Sequence, residues 1–569
     1  MPAGETQLTV VEPPLRLARA EDIAWDETAD VVVVGFGGAG ACAALEAVER
    51  GGSVIALDRF AGGGATAYSG GVVYAGGTRV QAEAGVADSA QAMFDYLSLE
   101  VGDAITPATL RRFCEGSAAD LEWLMRHGVT YSRDAMLDKT AYPPDRYGLY
   151  FSGNEKVPRY KQVAAPAPRG HRATGRGFTG QAYFAALRAS ALNAGVRLLP
   201  HAPVRRLILD GDGEVLGVEA QVLPDAVRAR HAELYGKAGP LPFTGDQAEA
   251  AIRAAQALER EAGGERRRIR ALGGVVLAAG GYIFNLEMLR EHRPLLAENF
   301  RAFLRLGSMG DDGSGIRLGQ SAGGAPAMLE NVFVNKLIAP PEGLLKGVAV
   351  NDRGERFINE DAYCGFLGAA IAEQQGGRAW LILDHKGFWR VVRQCLRLRD
   401  RDLFKMFLVP TLLNILRGGT RRAGTLRRLA GKTGLDPDRL ERTVAANNRA
   451  AAGGVDPFGK SPEHVRQIAA RPFYALNLSL ANPLGFVQLF TLSGLRVDEE
   501  TGEVLRREGG AIRGLYAAGR NAVGLCAQGY LSGMSLADGV FSGRRAGACA
   551  AARAAGSTAA AAPPEAVRD

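Results

Sequence analysis

Two stretches of the sequence carry residue types whose spacing can do chemistry. Near the C-terminus, GYLSGMSL (529–536) sets Tyr530 and Ser532 two residues apart between glycines, just ahead of a helix-like run. Hydroxyl side chains can relay a proton beside an apolar ligand without burying a charge. Near the N-terminus, GFGGAG (35–40) follows the unbroken strand pattern DVVVV (30–34) and opens the alanine-rich run ACAALEAVERG (41–51). That context gives a Gly-x-Gly-x-x-Gly turn its meaning. Gly35 permits the tight turn, Gly37 lets a dinucleotide pyrophosphate approach the backbone, and Gly40 lets strand and helix pack closely. The helix N-terminus then stabilises the phosphates. Asp58 closes the next strand, SVIALD, 18 residues after Gly40, where a carboxylate can accept hydrogen bonds from a ribose.

The elements that must position these groups follow from periodicity. Fully apolar strands such as 31–34 suit a parallel sheet covered on both faces. Residues 180–220 read as a helix and then two strands joined at the DGDGE hairpin turn (210–214). An alanine- and charge-rich piece, about 225–265, reads as a helical surface insertion before the apolar strand GGVVLAAGG (273–281). The texture changes over about 325–490, and an apolar strand returns at GLYAAG (514–519). The expected fold is α/β: a discontinuous Rossmann-like domain over 28–325 and 489–552, with an inserted α+β cap over 326–488. A 1–27 arm precedes it, and a low-complexity, disordered tail over 553–569 follows.

Composition sets the bounds. The chain of 569 residues is 47% hydrophobic and 23% charged, which describes a globular protein with ample core. The sequence has no apolar run of about 18 residues and no signal-peptide core, so the expected location is cytoplasmic. Six dispersed cysteines and seven dispersed histidines lack metal-ligand spacing, so no metal is expected. Residues 386–432 hold thirteen Lys/Arg against two Asp; this +11 leaves the rest of the chain at −4, not the surface of a nucleic-acid-coating protein. The same segment encloses LFKMFLVPTLLNIL (403–416), too short to span a bilayer. Its basic flanks suit peripheral contact with an anionic membrane, or equally a cap helix with a solvated positive face.

Four further motifs occur in order: the glycine-rich loop AGGGATAYSGGVVYAGGT (61–78), LAAGGY (277–282), GDDGSGI (310–316), and GLYAAG followed by GMSL (533–536). Together with the first glycine turn they resemble flavoproteins of the fumarate reductase and 3-ketosteroid dehydrogenase superfamily over most of 28–552. The resemblance implies FAD bound by Gly35, Gly37, Gly38, Ala39, Gly40, Asp58, Arg59, Thr66, Ser69, Gly70, Gly71, Val204, Ala279, Gly280, Asp312, Gly519 and Arg520. It also implies that Ser535 and Leu536, at a helix N-terminus, face the flavin's pyrimidine edge. The 61–78 loop has no histidine or cysteine tether, so the FAD is expected to be non-covalent.

Fumarate-reducing members carry cationic residues where this chain reads ENVFVNK (330–336), NEDAYCG (359–365) and FTLSGL (490–495), so a dicarboxylate site is not expected. Tyr363 stands near the missing arginine, and Tyr530 with Ser532 is similar to the 3-oxo-5α-steroid 4-dehydrogenase branch of the ketosteroid dehydrogenases. That branch shares the run ADxVFSGRRAG found at 537–547. The resemblance implies Tyr363, Tyr530 and Ser532 as the active-site set for C4–C5 desaturation of a 3-ketosteroid. A proton leaves the carbon alpha to the carbonyl, and a hydride leaves the beta carbon for flavin N5. The Gly533 and Met534 N–H groups are the expected oxyanion hole. The sequence names no electron acceptor. It leaves open Δ1-dehydrogenation, enoate or enone reduction, a membrane-recruited flavin-bearing binding protein, and a plainer role for the pair in packing and helix capping.

Overall fold

The computed structural model describes residues 11–238, 245–336, 338–339, 341–397, 409–417, 419–485 and 487–561. The strand Glu27–Val34 lies between Val54–Leu57 and Glu265–Leu277, parallel to both. Val31, Val32 and Val33 are fully buried, as expected of a central strand covered on both faces. Glu265–Leu277 changes partners along its length. Its first half pairs antiparallel with Val215–Val222, and its second half pairs parallel with Ala511–Ala517. This switch lets the second half of Glu265–Leu277 stand between the first apolar strand, Glu27–Val34, and the last, Ala511–Ala517, in a nine-stranded sheet. The protein is therefore an α/β fold built from chain segments far apart in sequence.

The C-terminal helix Met534–Ala561 packs along Gly38–Glu49 through small residues. A Cβ on Gly543 would stand 2.5 Å from the Ala39 carbonyl oxygen, and one on Gly547 would stand 2.2 Å from that of Ala43. Glycine at these positions lets the two backbones touch, which brings the start of the C-terminal helix to the glycine turn.

Two smaller sheets complete the site. Val72–Tyr74, Gly170–Arg172, Leu149–Tyr150 and Ala135–Met136 form one. In the other, Val487–Thr491 lies between Phe303–Arg305 and Val332–Lys336. The intervening region holds an antiparallel sheet in the order Val348–Asn351, Ala379–Leu383, Phe473–Asn477, Thr420–Ala423, with its own apolar core.

Several expectations need correction. The 225–265 piece forms helices Asp225–Lys237 and Gly245–Glu261, but it is not a surface appendage: His231, Leu234 and Glu259 are buried. Ion pairing carries those polar groups inside, where the composition pointed outward. The arm, whose packing the sequence leaves open, contributes Leu15–Arg16 as an edge strand beside Val204–Leu209. The tail is helical as far as Ala561, because its alanines continue the face packed on the core, with Ala550, Ala551 and Ala554 buried; residues 562–569 lie outside the described residues. In the basic segment, 398–408 and 418 also lie outside, and within Val409–Leu416 the side chains of Leu412 and Ile415 pack on the core.

Candidate active site

Most of the residues singled out from sequence meet in one cavity. Gly35, Gly37, Gly38, Ala39, Asp58, Arg59, Thr66, Ser69, Gly70, Val204, Ala279, Gly280, Asp312, Gly519, Arg520, Ser535 and Leu536 line it, and so do Tyr363, Tyr530, Ser532 and Gly533. Gly40, Gly71 and Met534 do not. A Cβ on Gly40 would lie 2.0 Å from the Gly35 oxygen, and Gly71 is tucked against Thr179, so both serve packing.

The glycines of the turn divide the work as their spacing suggests. Gly35 has φ +94°, and a Cβ there would fall 2.6 Å from Ala279 Cα. A Cβ on Gly37 meets no protein atom closer than 3.6 Å, so it would simply project into the cavity. The protein does not need that emptiness for its own packing; a pyrophosphate would.

Around this cradle the charged groups are tied to one another. Asp58 accepts from the Phe36 amide at 2.9 Å and the Phe60 amide at 2.8 Å, which fixes the turn to the end of the second strand. The Gly62 amide also faces this carboxylate, which leaves acceptor capacity for one further donor such as a ribose hydroxyl. Arg59 donates to Glu259 and Asp312, both at 2.7 Å. Glu259 also accepts from Arg205 at 2.9 Å and lies 3.0 Å from His231 Nε2. Burial opposes its charge, but the cations Arg59 and Arg205, with the His231 hydrogen bond, hold the carboxyl well below the usual carboxylate range. Glu259, with Gln256 and Arg260 on the same helix, lines the cavity beside Val204. Asp311, passed over in favour of its neighbour Asp312, accepts from Arg520 at 2.6 Å, from Gly281 N at 3.0 Å and from Ser308 N at 2.8 Å. The other terminal nitrogen of Arg520, Nη1, is buried with no hydrogen-bond partner among the described residues. An open glycine cradle, a helix N-terminus and a buried guanidinium nitrogen without a hydrogen-bond partner fit an anionic dinucleotide such as FAD.

At the far end stand the hydroxyls. Gly533 has φ +99°, and a Cβ there would collide with the Tyr74 amide at 2.9 Å, so the turn that aims Ser532 requires glycine. Ser532 N donates to the Ser152 oxygen at 3.2 Å, and Tyr74 N donates to the Gly533 oxygen at 3.2 Å. The Ser532 side chain does not cap the helix. Its Oγ lies 3.0 Å from the hydroxyl of Tyr150, a fully buried residue that no motif announced. Nothing local could mark it, because its partner lies 382 positions away.

Tyr530 packs against Phe333 and Phe490, with ring centroids 4.5 and 4.8 Å apart. Tyr363 stacks on the other side of Phe333 at 6.2 Å, and its amide donates to Asn154 Oδ1 at 2.6 Å. Burial raises the phenols of Tyr150, Tyr363 and Tyr530 above the ordinary tyrosine range, so all three are neutral donors near pH 7. The oxyanion role expected of Met534 is not supported: its N–H donates to the Leu531 oxygen at 3.1 Å. The helix begins one residue too early to leave that group open. The Gly533 amide faces the Tyr530 hydroxyl instead.

Comparison with known proteins agrees with this geometry. Residues 30–536 match the FAD binding domain family. The 3-oxo-5-alpha-steroid 4-dehydrogenase of Comamonas testosteroni is 37% identical over 89% of this chain and 95% of its own length. The crystal structure of the 3-ketosteroid-delta4-(5alpha)-dehydrogenase from Rhodococcus jostii RHA1 with 4-androstene-3,17-dione superposes with a TM-score of 0.77 at 32% identity, covering 95% of this chain and all of that one. The 3-ketosteroid delta1-dehydrogenase of Sterolibacterium denitrificans shares the fold at a TM-score of 0.62 and 20% identity, over 92% of this chain and all of that one. The chain belongs to the FAD binding domain family and, within it, to the FAD-dependent 3-ketosteroid dehydrogenases.

Proposed function

We propose that the protein desaturates a 5α-reduced 3-ketosteroid between C4 and C5. The observation that carries this reading is Ser532, which lines one cavity with Tyr530, Tyr363 and the dinucleotide cradle and is backed by the hydroxyl of the buried Tyr150. FAD, when bound, supplies the acceptor for the hydride that leaves C5. The protein's own residues handle the proton and the carbonyl. Tyr530, packed edge-on against Phe333 and Phe490, donates a hydrogen bond to the 3-oxo group and stabilises the enolate as it forms. Ser532 Oγ receives the C4 proton, its own hydrogen passes to Tyr150 Oη, and the phenolic hydrogen of Tyr150 is released in turn toward solvent, so neither hydroxyl ends the step charged. Tyr363 faces the same space, its backbone fixed by Asn154. The aromatic walls keep water away from the carbanionic carbon.

Anaerobic mixing of the holoenzyme with 5α-androstane-3,17-dione tests this. Flavin bleaching and a product absorbing as a 4-en-3-one are expected; a 1-en-3-one product would transfer the reading to Δ1-dehydrogenation.

We also infer that the helix His385–Arg397 rests on an anionic membrane surface, a suitable place to meet a lipophilic ketone. Support comes from the exposed side chains at helical spacing: Lys386, Trp389, Arg393, Leu396 and Arg397 project on one side, with Trp389 44% and Leu396 72% accessible. No helix of the described residues is long and apolar enough to cross a bilayer. Co-sedimentation with phosphatidylserine vesicles, lost with Trp389→Ala and in high salt, is the expected result; equal sedimentation with neutral vesicles would exclude it.

A further inference from the structure

The three-stranded sheet carries a second polar feature inside the cavity. Asn335 and Gln488 are cross-strand partners on Val332–Lys336 and Val487–Thr491, and Asn335 Nδ2 donates to Gln488 Oε1 at 2.6 Å. Both residues line the cavity, yet they are only 7% and 6% exposed. Asn335 Oδ1 is buried without a hydrogen-bond partner among the described residues. A buried amide oxygen left unpaired is destabilising, so such a group calls for a ligand.

Its place on the sheet says which ligand. Side chains two residues apart share one face of a strand, so Phe333 and Phe490, also cross-strand partners, stand on the same face as Asn335 and Gln488. The two pairs are separated by about 7 Å along the strands. Phe333 and Phe490 are the rings that pack against Tyr530. One continuous ladder face therefore runs from the group assigned to the 3-oxo oxygen, across an aromatic floor, to an amide pair. A steroid is an apolar skeleton that commonly bears oxygen at both ends. We propose that the Asn335–Gln488 pair is the second anchor of the substrate site and selects 3-ketosteroids with an oxygen substituent remote from the ketone. The proposal rests on the assignment of Tyr530 to the 3-oxo group. Turning both amides over preserves the bond between them and makes Asn335 present N–H in place of carbonyl. The pair can thus receive a hydroxyl or a ketone, but it gives nothing to a hydrocarbon terminus.

The test compares 5α-androstane-3,17-dione with 5α-androstan-3-one, which has the same skeleton without the distal oxygen. With wild-type holoenzyme kcat/KM is expected to favour the dione by tenfold or more, expressed mainly in KM. In the double variant Asn335→Leu with Gln488→Leu, which removes both partners together, this ratio should fall toward one. A ratio equal to that of wild type would overturn the proposal. If the double variant does not fold, Asn335→Leu alone is read in the same way. Loss of flavin from either variant would show that the pair serves the cofactor, and this too would overturn the proposal. Tyr530→Phe separates the two assignments: it should slow both ketones alike, whereas a loss confined to the dione would place Tyr530 at the distal oxygen and remove the reading beneath the proposal.

Discussion

A hydroxyl removed without altering the ring or the backbone separates proton handling from packing. Ser532→Ala and Tyr150→Phe each cut the bond between these residues, and a neutral hydrogen bond of this kind contributes about 1 kcal/mol net to folding. Both variants should keep FAD and bind the ketone, yet bleach the flavin on the order of 10²-fold more slowly, the usual scale for losing proton transfer in the transition state. Bleaching at the wild-type rate in Ser532→Ala would return the serine to a structural role. At the other end of the cavity, Gly37→Val should leave the protein folded, because a Cβ there meets no protein atom within 3.6 Å. It should nonetheless abolish flavin retention, since the side chain occupies the phosphate cradle. A purified Gly37→Val protein with stoichiometric flavin would show that the cradle lies elsewhere.

At the scale of elements, the helical pair inserted between Val215–Val222 and Glu265–Leu277 can be excised at the base of its hairpin, at the cost of the core contacts of Leu234, Ala251 and Ile252. Val222 pairs directly with Glu265, so a two-residue turn can replace residues 223–264 and leave the ladder intact. Excision deletes Glu259 and strips Arg59 and Arg205 of their shared carboxylate on the wall of the cavity. Flavin affinity, measured by fluorescence on titration of the apoprotein, should weaken tenfold or more; unchanged affinity would return the insertion to the surface role its composition suggested. That misreading has a physical reason. Alanine and alternating charge describe a solvated helix equally well as one whose Glu259 is buried among two arginines and a histidine. The glycine turn, by contrast, was legible because steric demands on Gly35, Gly37 and Gly40 are local and leave their mark in residue type. Tyr530 and Ser532 stood out beside a helix start, and their place in the site came from the resemblance to the ketosteroid dehydrogenases. Tyr150 and Asp311 could not, since each acquires its meaning only from a partner more than 200 residues away. Whether the Met534 N–H is open depends on where the helix begins to within one residue, which sequence does not resolve.

Across the whole molecule, the segments around Glu100, Asn154 and Tyr363, far apart in sequence, meet at a buried polar junction. Asn154 Oδ1 takes the Tyr363 amide, Asn154 Nδ2 donates to Glu100 Oε1 at 2.8 Å, and Tyr96 donates to the same oxygen at 2.9 Å. Burial drives the Glu100 carboxyl up from the ordinary 4.5 to about 7, with the hydrogen bonds from Asn154 and Tyr96 acting against it. Between those two values the folded protein holds a proton that the unfolded chain has released. The contribution to stability is therefore complete below about pH 4.5 and is lost as pH rises through about 7. At roughly 1.4 kcal/mol for each pH unit crossed, the loss amounts to a few kcal/mol. The melting temperature should accordingly carry a component that falls between pH 5 and pH 8. Glu100→Gln keeps an acceptor for Asn154 and Tyr96 while removing the titration, so scanning calorimetry of this variant should show a shallower decline over that range. An identical slope in both proteins would mean that Glu100 does not titrate in the folded state there, and that the junction holding Tyr363 is not sensitive to pH through this carboxyl.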